Sequence, residues 1–178
     1  MNIGITGASG MLGTALIDRL YAKPVIFATS RDQGIERNQV EWECFDLLNF
    51  DALCKWLENK LLDVVIHCAA MVNVDQCENN PEIAGELHYK TTKTISEYLE
   101  QKGGQLIYIS TDSLFDGKKN SPYTETDQIN PLNVYAKTKL AGEKPVINMK
   151  NGLILRTNII GWSRDEKLSF AEWILKDL

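Results

Sequence analysis

Apolar positions in this chain follow two alternating periods. Short runs in which most residues are apolar, at 2–6, 24–29, 62–68 and 105–110, have the length and β-branched content of strands, with weaker examples at about 40–45 and 153–157. Between them lie stretches of helical spacing: Leu12, Ala15, Leu16 and Leu20 within 11–21, and Phe50, Leu53, Cys54 and Leu57 within 50–60. A longer helix is predicted from Pro81, with Ile83, Leu87, Thr91, Ile95 and Leu99 four apart, stopped by Gly103-Gly104. Further helices are predicted at about 133–144 and at 166–178, the last with Phe170, Ile174 and Leu178 four apart. Strand–helix alternation of this kind predicts an α/β domain, a doubly wound parallel sheet with helices on both faces. The longest polar stretch, 113–132, reads as a surface loop beside a strand end. Ligands of such sheets bind beyond the carboxyl ends of the strands, and the polar clusters of this sequence lie at those ends.

Composition narrows the class. The chain has 178 residues, 44% apolar and 24% charged, which suits one globular domain and excludes disorder, collagen and coiled coil for the whole chain. A net charge of -5 gives no basic footprint for nucleic acid. No apolar run reaches membrane-span length, and Met1-Asn2-Ile3-Gly4-Ile5 reads as a strand, so a cytoplasmic location is expected. Cys44, Cys54, Cys68 and Cys77 match no zinc spacing; no metal is expected, and Cys44 and Cys68 read as buried thiols.

The first chemical motif is Gly7-Ala8-Ser9-Gly10-Met11-Leu12-Gly13, directly after a strand and opening a helix. Gly7 permits the tight turn, Gly10 the approach of a pyrophosphate, and Gly13 close helix–sheet packing; the helix N-terminus offers unpaired N–H groups to phosphate. This predicts a Rossmann-type dinucleotide site formed by Gly7, Ser9, Gly10, Met11, Leu12 and Gly13. The second strand ends Ser30-Arg31-Asp32. An arginine there suits a 2′-phosphate, which favours NADP(H); Asp32 keeps NAD(H) open. Asp46-Leu47 after the third strand is placed near the adenine, although Asp46 could equally cap the helix beginning near Phe50. Ala69-Ala70 after the fourth strand would let a cofactor pass close to the backbone.

The second motif is Tyr135-Ala136-Lys137-Thr138-Lys139. Tyr135 and Lys139 are four apart, so they share a helix face. A phenol has an ordinary pKa near 10, and a neighbouring ammonium is expected to lower it. Thr111, at a strand end, can hold a carbonyl oxygen beside the phenol. Together the three residues describe carbonyl reduction, with Tyr135 as proton donor.

At these residues the chain resembles the extended short-chain dehydrogenase/reductases, and within them most closely the dTDP-4-dehydrorhamnose reductase group. The resemblance rests on Thr6-Gly7 to Gly13, His67-Cys68-Ala69-Ala70 with Val74-Asp75, Ser110-Thr111-Asp112 with Phe115-Asp116-Gly117, Pro122-Tyr123-x-Glu125, and Asn133 to Glu143. It implies a reductase of a nucleotide-linked 4-keto sugar, with Thr111, Tyr135 and Lys139 at the catalytic positions, Tyr135 and Lys139 also against the cofactor, and Arg156-Thr157 on the usual Arg-Thr/Ser pair. Sugar-nucleotide epimerases and dehydratases, the alternative enzymes, usually have Tyr-Gly where this chain has Phe115-Asp116-Gly117. A non-catalytic reading also stands, because the group resembles the beta regulatory subunit of methionine adenosyltransferase. The chain departs from the reductases at His67, usually asparagine, at Met71, Val72 and Ser113, and at His88, which falls on a helix asparagine that organises a proton relay in the wider family. Both histidines read as packed or hydrogen-bonded structural residues.

Family members continue well beyond the length of this chain. Residues 1–162 are therefore expected to form the NAD(P)-binding domain, and 163–178 to begin a truncated C-terminal region that would carry most of the substrate lobe. The apolar helical end, with Phe170, Trp173, Ile174 and Leu178, is expected to pair isolated chains into a homodimer.

Overall fold

A computed structural model describes residues 1–20, 25–34, 36–162 and 169–176. Six strands form one parallel sheet: β1 (Asn2–Thr6), β2 (Val25–Ser30), β3 (Val40–Cys44), β4 (Val64–His67), β5 (Gln105–Thr111) and β6 (Gly152–Thr157), in the order β3-β2-β1-β4-β5-β6. The chain runs outward from β1 to β3, then returns to the other side of β1. This is the Rossmann order, and it opens a crevice between the carboxyl ends of β1 and β4. Thr6 pairs with Thr29 on one side and His67 on the other, so three strand ends align at that crevice.

Apolar spacing decides which helix covers which face. Phe27, Val65, Leu106 and Tyr108 pack one face of the sheet against Leu53, Trp56 and Leu57 of α2 (Phe50–Lys60), Ile95 and Leu99 of α5 (Thr91–Lys102), and Val146 of α6 (Val134–Ile147). Ile3, Ile5, Ile26 and Ile66 pack the other face against Ile17 of α1 (Met11–Leu20). That second face is only partly covered. Leu12, Leu16, Ile66, Ile107, Ile109 and Leu155 line an open, largely apolar groove of about 740 Å³. The last helix, α7 (Phe170–Lys176), leaves Trp173, Ile174 and Leu175 exposed.

Between β4 and β5 the structure differs from the sequence pattern. A short helix, α3 (Val74–Asn79), is capped by Asn73, whose side chain accepts from the Gln76 N–H at 2.8 Å. The long helix runs as α4 (Pro81–Gly85), a π turn over Glu86–Lys90, and α5. The π turn inserts a residue into the apolar row. Ile83 is consequently left exposed, and Ala84 and His88 become buried in its place.

Cys44 is also exposed, against expectation, because β3 is an edge strand; Cys68 is half-buried, Cys77 is buried, and all four thiols are free. Pro24, the segment 163–168, the side chain of Phe170, and Leu178 lie outside the described residues, as do the expected domain boundary after 162 and the expected helix start at 166. No helix of the described residues is long and apolar enough to cross a membrane.

α6 is fastened to the sheet by charge. Glu143 is wholly buried, and its carboxylate accepts from Arg156 of β6 in a two-pronged pair (Nε at 2.9 Å, Nη2 at 2.7 Å) and from the Ser110 hydroxyl of β5 at 2.5 Å. Removing one partner of such a pair strands the other charge. Glu143→Gln is expected to lower unfolding free energy by about 3 kcal/mol, measured by urea titration; a loss below about 1 kcal/mol would show that the clamp contributes little.

Candidate active site

Three glycines shape the turn after β1, and each does so differently. Gly7 has φ +64°, and a Cβ there would lie 2.7 Å from the Ala69 backbone, so only glycine lets the turn pass the end of β4. A Cβ on Gly13 would lie 2.4 Å from the Gly7 carbonyl oxygen, so only glycine lets α1 close on the turn. Gly10 is exposed, and a Cβ there would meet only the Gly7 carbonyl, at 3.2 Å. The missing side chain leaves the first turn of α1 open to a ligand. The Gly10 N–H donates to the Gly7 carbonyl at 3.0 Å, and the Thr14 N–H and hydroxyl both donate to the Gly10 carbonyl at 2.9 Å, which fixes the loop. Ser9 is exposed at the rim, Met11 lies against Gly161, and Leu12 faces the apolar groove. The turn, the small Ala69-Ala70 step and the open helix end together fit a dinucleotide pyrophosphate.

Around the crevice the other residues fall as follows. Ser30 is buried at the end of β2 and its hydroxyl donates to the Asp32 carbonyl at 2.6 Å; Arg31 is exposed beside it. Asp46 does not cap α2. Its carboxylate accepts from the Leu48 N–H at 2.9 Å, and Asn49 is the cap, accepting from Ala52 at 3.1 Å. Leu47, the next residue, is buried and packs with the core cluster of Phe27, Leu53 and Trp56.

Thr111, Tyr135 and Lys139 converge at the ends of β5 and α6. The Thr111 hydroxyl is near enough to the Tyr135 phenol to favour its ionised form, but burial outweighs that and raises the phenol above its ordinary value. The expectation that Lys139 lowers it does not hold. The ammonium donates to the Ile109 carbonyl at 2.6 Å and sits 4.1 Å from the centroid of the Tyr108 ring. Burial pushes Lys139 itself down to about 7, against the opposing pull of Cys68 and Glu143. Beside Thr111, a groove of about 560 Å³ is lined by Asp112, Ser113, Phe115, Tyr123, Arg156 and Asn158, with Phe115 and Tyr123 stacked at 4.5 Å.

Two histidines stand behind this cluster, both wholly buried. His67 Nδ1 shares a hydrogen bond with the Thr6 hydroxyl at 2.6 Å, and its Nε2 has no partner among the described residues. His88 is bonded at both nitrogens, to the Met71 N–H and to Thr138. The parts that three residues play in this neighbourhood escaped the sequence reading. Glu143 continues the Tyr135–Lys139 row at the same four-residue step, a signal the sequence does contain. Thr138 and Met71 are joined to His88 only by the fold.

The parallel sheet, its strand order and the glycine turn after β1 define an α/β domain of the Rossmann type. The chain belongs to the family described as RmlD substrate binding domain, whose model matches residues 1–176. Similar proteins include methionine adenosyltransferase 2 subunit beta of Bos taurus, 36% identical over 88% of this chain and 46% of that protein. The dTDP-4-dehydrorhamnose reductase of Salmonella typhimurium is 33% identical over 89% of this chain and 51% of its own length. Among solved structures, the dTDP-4-dehydrorhamnose reductase of Bacillus anthracis in complex with NADP is 27% identical, with a TM-score of 0.72, covering 87% of this chain and 52% of that one. The chain thus spans about half the length of the curated relatives it matches.

Burial holds both histidines neutral, each pushed down to about 3 from an ordinary 6.5, with the Lys139 charge adding to the effect. The unfolded chain takes up protons below about 6.5 that the folded chain refuses until about 3. Stability from these residues is therefore complete above pH 6.5 and lost as pH falls toward 3. His67→Asn is expected to flatten the fall in unfolding free energy between pH 6.5 and 4.5, measured by urea titration, by up to about 1.4 kcal/mol per pH unit. An unchanged pH slope in the variant would contradict the buried, neutral state of His67.

Proposed function

We propose that this chain is the cofactor-binding and proton-donating part of an NAD(P)H-dependent reductase acting on a nucleotide-linked 4-keto sugar. The observation that carries the reading is the half-buried phenol of Tyr135 beside Thr111, at the carboxyl ends of the strands, the same end of the sheet that holds the glycine turn. A phenol kept protonated is in the form that reduction requires, since the carbonyl oxygen must gain a proton as the carbon gains a hydride. The reductase names of the Salmonella and Bacillus relatives support the same reaction.

The dinucleotide would be held by the Gly7–Gly13 turn and the first turn of α1, with Ala69 and Ala70 allowing close passage. Arg31 and Ser30, at the end of β2, would meet the adenosine ribose, and the exposed guanidinium favours a 2′-phosphate there. The Asp46 and Leu47 backbone would border the adenine. When bound, the reduced nicotinamide supplies the hydride. Thr111 would hold the substrate carbonyl oxygen, and Tyr135 would give it the proton. Lys139, which titrates at about 7, would in its protonated form supply positive charge as the phenolate forms. The groove with Phe115 and Tyr123 on its wall would take the sugar.

A second reading has its own support, because 36% identity to a methionine adenosyltransferase subunit favours a protein that serves a partner enzyme. Turnover separates the two. The chain is expected to bind NADPH more tightly than NADH by calorimetry, with the preference lost in Arg31→Ala, and to convert a nucleotide-linked 4-keto sugar to the alcohol. Nucleotide binding without conversion, in a chain that co-purifies with a partner at fixed stoichiometry, would replace the reductase reading by the subunit reading.

A further inference from the structure

We propose that His88 is a positioning residue: its imidazole ties the loop leaving β4 to the face of α6 that carries Tyr135 and Lys139, and so sets the angle at which the phenol is presented. The inference rests on the reading of Tyr135 as proton donor.

The geometry begins in the π turn. Widening the helix over Glu86–Lys90 leaves carbonyls displaced from regular partners. Thr92 donates its hydroxyl to the His88 carbonyl at 2.6 Å, and Thr91 donates to that of Leu87, so the wide turn is held by side chains. α6 comes close because residue 142 is glycine: a Cβ there would lie 2.4 Å from the His88 carbonyl oxygen. His88 is thereby pressed between α6 and the β4 loop, wholly buried, with its ring edge-on to that of Tyr135 at 5.8 Å and 84°.

The partners fix the tautomer. The Met71 N–H can only donate, and it meets Nε2 at 2.9 Å, so Nε2 carries a lone pair and the proton is on Nδ1. Nδ1–H donates to the Thr138 hydroxyl at 2.8 Å. That hydroxyl donates onward to the carbonyl of Val134 at 2.8 Å or of Tyr135 at 3.0 Å. Every donor has an acceptor. The chain of bonds ends in amide carbonyls, which pass no proton on, so His88 orients and does not relay. A charged ring would set its Nε2–H against the Met71 N–H, and burial holds the ring neutral.

Three variants separate hydrogen bonding from packing. His88→Phe keeps a flat ring and removes both nitrogens; Thr138→Val removes the acceptor of Nδ1–H, and Thr138→Ser restores it. With NADPH and a nucleotide-linked 4-keto sugar, His88→Phe and Thr138→Val are expected to lower kcat about tenfold. The sugar KM should move by less than about threefold, and Thr138→Ser should return close to the parent rate. Parent-like kcat in Thr138→Val, or no recovery in Thr138→Ser, would overturn the proposal even if His88→Phe fails to fold. Ring nitrogen NMR of the full chain at pH 7 should show Nδ1 protonated and Nε2 bare; the opposite tautomer or a charged ring would also overturn it. If the parent chain turns over no keto sugar, the reductase reading fails alone. The clamp is then read from the Tyr135 ring resonances, which should shift in Thr138→Val and return in Thr138→Ser; unmoved resonances would overturn it.

Discussion

The docking of α6 against β5 and β6 is the contact on which the candidate site depends. Tyr135, Lys139 and Glu143 follow one another at four-residue steps along one face of the helix. The last of them is held by Arg156 and Ser110 through charge-assisted bonds to a buried carboxylate. Lys139 is anchored in the middle of the row by the Ile109 carbonyl, and Tyr108 reaches across to the Lys139 carbonyl at 3.3 Å. With two of three positions fixed to the sheet, the third has little freedom. Tyr135 is held beside Thr111, the residue that ends β5.

Burial gives this corner its electrostatic character. His67, His88 and Lys139 are three basic groups placed together behind the strand ends, and each is pushed toward its uncharged form, first by desolvation. Two imidazoles stay neutral because both lack water and face the same ammonium. The same burial raises the phenol, so the site rests with its proton on Tyr135 and with Lys139 titrating at about 7.

Much of the sheet was legible because each strand and helix declares itself over a few residues. The glycine turn was legible for the same reason; Gly7 makes the tight turn its place suggested, while Gly13 packs α1 against the turn, at Gly7 and Ala8, and not against the sheet. The Tyr135–Lys139 pair was readable as a shared helix face, but the sense of the phenol's shift was not. It depends on how deeply α6 is buried and on where the ammonium finds a carbonyl, and neither is local. The π turn was hidden because a four-residue apolar row fits a regular helix; only the packing of His88 against α6 shows which residues the row buries. Cys44 misled for a related reason: an apolar strand segment does not reveal that it lies at the sheet edge. Asp46 and Asn49 lie three apart, both able to cap, and the backbone decided for Asn49.

The central claim is that the Tyr135 phenol protonates the substrate carbonyl. Its most direct test is Tyr135→Phe, compared with the parent chain for NADPH affinity and for turnover of a nucleotide-linked 4-keto sugar. The account predicts a fall in kcat of about a hundredfold or more, with NADPH affinity within about threefold of the parent. Equal turnover in the two proteins would contradict it.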